Sequence, residues 1–570
     1  LRPAHAILAV IGVALLLIGV ATLAPRVAMQ DRAYLRKSPS VLANSAEEMF
    51  TRLGYSLQGM HSAYAMDYYE ELVKEIEEND ASVHRWDRLA APRPAAIDFW
   101  YRASTGPLRA TNALGKVTMT DPAPIEPGMI SLRLSPAGQL RELFVRYRDA
   151  NDPTTPDGWR SLAGEADLER TWRLLFEMAD LPFDAFERVE PERVPPVFAD
   201  YRIAWEGVYP ESPEIELRVE AATYHGQAVS FRLIEKRWPK ASQTGIPEDF
   251  ALGGIPLLVT TLMLGALVIG SLIMAPVNVA ARRVDLSGGL KVGAGCAALW
   301  LVGWELRASH VWTIPGELDL LGRGAGQSLL VGAALVLFYL AIEPNVRRLW
   351  PQMLISWERL LGGRVRDPLV GKHALIGILL GVASAGAFYL NRLIPSLLGR
   401  APPAPYFDSR YGIDAMSGAR TAFGSTLHIA VTSIQDGLAL VLGLVIVKLI
   451  VKKEWAVAAT FAILLAVFGA MLTESPTVYS YAVIVALAGA MSIVVVRYGL
   501  LAACFSALAY HMLVAFPLTP NPGAWFFDAT IFTHTFVGGI ALFGALVAAG
   551  VIRGAAPGAM SVSSATRHLE

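Results

Sequence analysis

Four residues inside apolar stretches carry side chains that hydrocarbon disfavours and chemistry uses: His428, Thr432, Asp436 and His511. Ionisable groups in such stretches are costly, which makes them functional candidates. His428, Thr432 and Asp436 are spaced by four, so a helix would carry them along one face. A histidine and a carboxylate so placed could relay protons or hold a polar group of a substrate. They could equally form a hydrogen-bond ladder between helices.

A second set is basic. Glu343 is followed by Arg347, Arg348, Arg359, Arg364 and Arg366, interleaved with Met353, Leu354, Trp357, Leu360 and Leu361. That spacing predicts an amphipathic helix within 344–372, lying in a membrane interface and held there by anionic lipid. Glu343, the five arginines and Trp357 are the candidate coupling and lipid-contacting residues.

Other signatures are missing. There is no G-x-S-x-G, H-E-x-x-H or P-loop, and no Gly-rich loop with H-R-D and D-F-G. The two cysteines, Cys296 and Cys504, fall inside apolar stretches and read as packing residues. His61, His84 and His225 are far apart and read as ordinary surface residues. No catalytic residue, metal or cofactor is predicted. A net charge of −1 gives no basis for nucleic-acid binding.

These residues need elements to position them. The chain has 570 residues, mean hydropathy +0.41 and 17% charged residues, which points to several helices in lipid. Apolar spans are predicted at about 6–25, 252–275, 289–306, 326–343, 373–392, 425–450, 455–472, 477–496, 498–516 and 530–552. Backbone groups in hydrocarbon must be satisfied internally, so each is expected to be a helix. The fold class expected is a multi-span α-helical membrane protein of about ten helices with an inserted extracytoplasmic α+β domain. The organisation expected is an anchor at 1–27, the α+β domain at 28–250, a polytopic helical region at 251–553 and a tail with a tag scar at 554–570. Gly377 and Gly381 form a small-xxx-small pair suited to close helix packing. With ten spans, Arg282, Arg283, the linker arginines, Lys448, Lys452, Lys453, Arg497 and Arg553 all fall on one side, which the positive-inside rule makes cytoplasmic.

Within 28–250, VLANSAEEMFTRLGY has helical periodicity, with Leu42, Ala46, Met49, Phe50 and Leu53 on one face. AAIDFWYRAS alternates, and ISLRLSPAGQLRELFVRY reads as a hairpin turning at Pro136-Ala137-Gly138. A second helix, EADLERTWRLLFEMAD, is followed by further strands with a turn at His225-Gly226. The repeated order predicts two copies of one small module.

EPNVRRLWPQMLISWERLLGGRVRDPLVGKHALIG resembles the membrane region that follows the catalytic domain in a group of bacterial transmembrane serine/threonine protein kinases. LRPAHA, LANSAEEMFTRLGY, IDFWYR and FPLTPNPGAWFF fit the same group in the same order. The resemblance implies a kinase domain upstream of Leu1, an inner-membrane location, and a homodimer. It also implies a sensor that couples an extracytoplasmic or intramembrane stimulus, a ligand or a protein, to a cytoplasmic domain. GAMSIVVVRYGLLAACFSALAYHMLVAF is similar to a late helix of CAAX-type intramembrane proteases, in which a histidine at the position of His511 belongs to a metal site. The paired glutamates of that family are missing; Glu454 and Glu474 stand singly. The competing expectations are therefore an intramembrane metalloenzyme, active or degenerate, and a transporter or lipid-binding protein.

Overall fold

The computed structural model describes residues 2–146, 165–236, 254–471 and 478–552. It is mostly helical, with one antiparallel sheet. Helix α1 (Pro3–Leu23) leads through the single turn α2 (Met29–Arg32) into the sheet domain. There α3 (Pro39–Arg52) precedes β1 (His61–Tyr68), α4 (Glu70–Asn79), β2 (Ile97–Ser104), β3 (Ile130–Leu134) and β4 (Leu140–Val145). Then α5 (Glu165–Met178) precedes β5 (Glu187–Val189), β6 (Tyr201–Tyr209), β7 (Ser212–Tyr224) and β8 (Gln227–Glu235). The eight strands form one sheet in the order β1-β2-β3-β4-β8-β7-β6-β5. Helix-then-four-strands thus occurs twice, and the last strands of the two runs meet in the middle of the sheet.

Local chemistry explains the register. The β3–β4 turn closes with Ser135 N–H on Gln139 O at 2.8 Å, and Gly138 supplies the positive φ of 90°. The two-residue turn between β7 and β8 has φ of 50° at His225 and 79° at Gly226, the conformation a tight hairpin of right-twisted strands prefers. One sheet face is apolar: Phe99, Tyr101, Leu132, Leu143, Trp205 and Phe231 bury against Phe50 of α3 and Trp172 and Phe176 of α5. The strands also carry a cross-strand row, Arg133–Glu142–Arg232–Glu220, in which opposite charges face each other.

The remaining helices are α6 (Gly254–Ala280), α7 (Leu286–Arg307), α8 (Ile314–Leu349), α9 (Ile355–Leu361), α10 (Pro368–Leu397), the short α11 (Gly412–Met416), α12 (Ala419–Ile450), α13 (Glu454–Met471), α14 (Val478–Ala515) and α15 (Phe527–Ala548). Among the described residues eight helices, α1, α7, α8, α10, α12, α13, α14 and α15, are long and apolar enough to cross a membrane, as a multi-pass membrane protein requires. Asp285 and Asp367 cap α7 and α10, accepting hydrogen bonds from Gly288 N–H and Leu369 N–H.

Glycines set how closely these helices approach. A Cβ on Gly377 or Gly381 of α10 would lie 2.4 and 2.3 Å from the backbone oxygens of Ala502 and Ser506. The small pair read in the sequence therefore sits where α10 touches the backbone of α14. Gly499 (φ 76°, ψ −163°) interrupts α14. Before it, Ser492 Oγ–H donates to Ala458 O, and Gly469 packs on Ile484, so this first arm runs antiparallel to α13. After it, Gly377–Ala502 and Gly381–Ser506 make the second arm parallel to α10, and Gly437–Cys504 and Asp436–His511 make it antiparallel to α12. Lys448 pairs with Glu454 across the short link from α12 to α13, and Gly443 faces Phe461 further along, so these two helices are antiparallel as well. The chain consequently reverses at Gly499.

The segment after α8 differs from its expected form. Instead of one amphipathic helix across 344–372, α8 continues to Leu349, a turn follows, and α9 has 7 residues before α10 begins at Pro368. Pro351 and the Gly362-Gly363 pair divide the stretch. Its apolar stripe is not left for lipid: Met353, Leu354 and Trp357 are buried among protein side chains.

Candidate functional site

The sheet domain rests on the helices through several loops. Arg85 Nε–H and Trp86 Nε1–H both donate to Pro402 O at 3.0 Å, and Trp525 Nε1–H donates to Leu35 O at 3.1 Å. Ser309 N–H donates to Gly115 O at 2.8 Å, and Val117 N–H donates to Ser309 Oγ at 3.1 Å. Trp304, near the end of α7, fills the gap between Gly115 and Gly324, where a Cβ would come within 2.7 and 2.5 Å of its ring. Its Nε1–H donates to Ala113 O at 3.1 Å.

Beside this plug lies a buried ionic network. The last turn of α7 brings Arg307, α11 brings Asp414, α12 brings Ser425 and His428, and the loop after β2 brings Lys116. Gly303 and Gly424 allow the close crossing of α7 and α12: a Cβ on Gly303 would sit 2.5 Å from the His428 ring, and one on Gly424 2.8 Å from Arg307 Cγ. Arg307 Nε–H donates to Asp414 Oδ2 at 2.7 Å, and Nη2–H donates to Arg410 O at 3.2 Å. Arg307 Nη1–H meets His428 Nδ1, while His428 Nε2 lies 2.9 Å from Trp300 O. With an arginine donating to Nδ1, the ring proton belongs on Nε2, which makes His428 the neutral tautomer. The imidazole also stacks on Trp300, with centroids 4.1 Å apart and planes 10° apart. Lys116 Nζ completes the set on Asp414 Oδ1. Burial pulls the Lys116 ammonium below the ordinary lysine range, with Asp414 opposing that shift and Arg307 adding to it. One carboxylate thus holds two cations, one from the sheet domain and one from the helices. Such an arrangement positions and couples; it contains no activated nucleophile.

The face expected to carry His428, Thr432 and Asp436 divides. His428 belongs to the junction with α7. Asp436 instead pairs with His511 of α14, Nε2 to Oδ2 at 2.8 Å. The physical reason is the helical pitch: over eight residues the direction drifts by about 80°, enough to point the two ends at different neighbours. Thr432 lies between them, half-buried.

The residues expected to couple cluster at the opposite end of the helices. Glu343 is buried, accepts from Asp285 N–H at 3.2 Å and pairs with Arg347 at 2.7 Å. Arg347 also reaches Glu358 at 2.9 Å, and Arg359 holds Asp367 at 2.8 Å. Arg348, Arg364 and Arg366 are exposed and Trp357 is buried. The buried cysteines are unpaired. Glu454 pairs with Lys448, and Glu474 lies outside the described residues. Among the described residues no group of three His, Cys, Asp or Glu is placed to hold a metal ion.

Lys116, Arg307 and Asp414 were not singled out by their sequence context. Lys116 and Asp414 are 298 positions apart, and neither stands in a motif. Compared with family models, curated proteins and solved structures, the chain finds no match in any of the three.

Proposed function

We propose that this chain is the sensing and signal-transmitting region of a receptor-like bacterial membrane protein. In this reading the sheet domain lies outside the cytoplasm, the chain crosses the inner membrane ten times, and the effector is a serine/threonine kinase domain preceding Leu1. The ten crossings are the eight long apolar helices, α6, and the second arm that the reversal at Gly499 adds to α14. The orientation rests on charge: Arg347, Arg348, Arg359, Arg364, Arg366, Lys452 and Lys453 gather at the end away from the sheet domain.

The observation that carries the reading is the shared carboxylate of Asp414. A merely tethered domain needs no buried ion pair to the bundle. Here Lys116 of the domain and Arg307 of α7 share one carboxylate, each on its own oxygen, so a displacement of the loop bearing Lys116 changes the charge balance at Asp414 and, through Arg307, the hold on His428 of α12. The far ends of α8 and α12 reach the Glu343–Arg347 and Lys448–Glu454 pairs, giving a mechanical path to the cytoplasmic side.

The test is autophosphorylation of the full reading frame in nanodiscs. Lys116→Met is expected to shift basal phosphorylation and to blunt the response to ligands of the sheet domain, whereas Arg170→Met, exposed on α5, leaves both unchanged. An absence of kinase activity in the full reading frame, or identical behaviour of the two variants, would reject the proposal.

A further inference from the structure

The sheet domain carries a cavity on the face turned away from α3 and α5. Leu143, Ile203, Ala221 and Phe231 belong to the apolar core, so their neighbours along each strand point the other way. The register places four of these neighbours in one row across β4, β8, β7 and β6: Phe144, Ser230, Ala222 and Arg202. The adjacent row on that face is Glu142, Arg232, Glu220 and Ala204. Two small side chains between a phenylalanine and an arginine leave a trough. On the first run the same face is filled, by Trp100 packed with Leu108, Val117 and Met129 from the stretch between β2 and β3.

On the second run the trough is roofed rather than filled. The chain between β5 and β6 crosses it, and that roof is pinned. Glu220 Oε1 accepts from Glu192 N–H at 3.3 Å, and Oε2 accepts from Arg193 N–H at 3.1 Å. Further on, Asp200 N–H donates to Thr223 O at 3.0 Å. Pro191, Pro195 and Pro196 each fix a backbone φ, so the roof loses little freedom when something enters beneath it. The enclosed space is about 40 Å³. One water takes about 10–15 Å³, so a group of about three heavy atoms fits.

The lining carries an excess of positive charge. Arg193, Arg202 and Arg232 face a single acid, Glu220. Glu220 is already engaged, by Arg218 at 2.9 Å and by the two backbone N–H groups of the roof. Arg232 has Glu142 at 3.4 Å. The Arg202 guanidinium has no hydrogen bond or ion pair among the described residues. Burial pulls the Arg193 guanidinium below the ordinary arginine range, and Arg232 adds to that shift. Ser230 is only 6% exposed, yet its hydroxyl, in the cavity wall, has no hydrogen-bond partner among the described residues. The remaining wall is apolar, made by Phe144, Val194, Pro195 and Pro196. One uncompensated guanidinium suits one negative charge, and its planar fork matches a carboxylate. We propose that this cavity binds a small aliphatic monocarboxylate, its carboxylate on Arg202 and Ser230 and its hydrocarbon part against Phe144 and the prolines. The site stands apart from the signalling reading above, and its occupancy is measured without a kinase readout.

The experiment follows butyrate binding to the whole chain in nanodiscs by saturation-transfer NMR, with empty nanodiscs as the blank. Butanol and butylamine serve as neutral and cationic matches. Butyrate is expected to bind roughly tenfold or more tightly than either, the margin a charge-assisted hydrogen bond gives. Acetate, two methylenes shorter, is expected to bind roughly three- to tenfold more weakly than butyrate. Arg202→Gln is expected to lower butyrate affinity roughly ten- to hundredfold. Ser230→Leu, which fills the trough, is expected to abolish binding, and Arg170→Gln on α5 to leave it unchanged. Arg202 is exposed, so its replacement spares the core, and the probe comparison is made on the unaltered protein. Equal binding of butyrate and butanol overturns the proposal. So does an affinity that survives both Arg202→Gln and Ser230→Leu. Inorganic phosphate that displaces butyrate as readily as acetate does would assign the cavity to anions at large and overturn the carboxylate reading.

Discussion

At the scale of single residues, the Asp414 carboxylate outranks each of its partners. Removing Lys116 leaves Asp414 bonded to Arg307. Removing the carboxylate leaves two buried cations facing each other. Asp414→Asn is therefore expected to cost roughly 3–5 kcal/mol and Lys116→Met a fraction of that; adding Lys116→Met to Asp414→Asn restores part of the loss. Denaturation of the purified protein in detergent checks the order, and equal costs would refute it. Asp31, on α2, gives a pH signature. Burial pushes its carboxyl up to about 6, against a hydrogen bond from Thr519. The folded chain then takes up a proton before the unfolded chain does. The contribution of Asp31 to stability is greatest below about pH 4 and declines as pH rises through about 6. Asp31→Asn is expected to raise stability at neutral pH by roughly 1–3 kcal/mol and to flatten the pH slope between about 4 and 6. An unchanged slope in melting experiments would count against it. Residues of this kind were the least legible in the sequence. Lys116 and Asp414 become partners only when the β2–β3 loop and the α10–α12 link meet, and nothing local announces that. His511 and Asp436 were each noticeable as polar groups in apolar runs, but their pairing needed the order of the helices.

At the scale of elements, much more could be read. The periodicity of α3 and α5, the hairpin at Gly138 and the turn at His225-Gly226 all have local causes, and the apolar runs carry the long helices. β1 was not visible: HSAYAMDY places small and acidic residues on an edge strand, so alternation is weak. The linker after α8 misled because its apolar stripe has two possible partners, lipid and protein, which a sequence pattern does not distinguish. Two glycines allow direct tests. Gly381→Val would drive a side chain against the Ser506 backbone oxygen, which cannot move aside, so separation of α10 from α14 and a loss of roughly 3 kcal/mol or more are expected. Gly499→Ala meets a backbone region essentially reserved for glycine, as well as the carbonyl of Met353 2.3 Å from the new Cβ. Its expected outcome is proteolytic sensitivity near residue 499 together with a lower melting temperature; a protease-resistant variant of normal stability would argue that the reversal is not built as described.

At the scale of the whole molecule, the proposed orientation predicts a labelling pattern. Both native cysteines are buried, so introduced ones report cleanly. Ile125→Cys on the sheet domain should react with a membrane-impermeant maleimide in intact spheroplasts, and Arg366→Cys only after permeabilisation. The opposite pattern would invert the topology and remove the basis for an outside sensor.

The sheet itself has an uneven anchorage. The domain–bundle contacts described above all start from residues 28–117, in the first of its two helix-and-strand runs. The second run is joined to the first at the β4–β8 seam, Glu142↔Arg232, Leu143↔Phe231 and Phe144↔Ser230, through the shared apolar core, and by side-chain bonds from Arg52 to Glu177, Tyr55 to Ala228 O, Arg93 to Ala179 O and Glu211, Gln139 to Asp180 and Arg141 to Glu235. In mechanical terms the second run is an overhang: a load on its outer strands passes through the core and the bonds it shares with the first run before it reaches the helices. In evolutionary terms the two runs face different constraints, the first bound to keep its fit to the helices, the second at liberty to change what it touches.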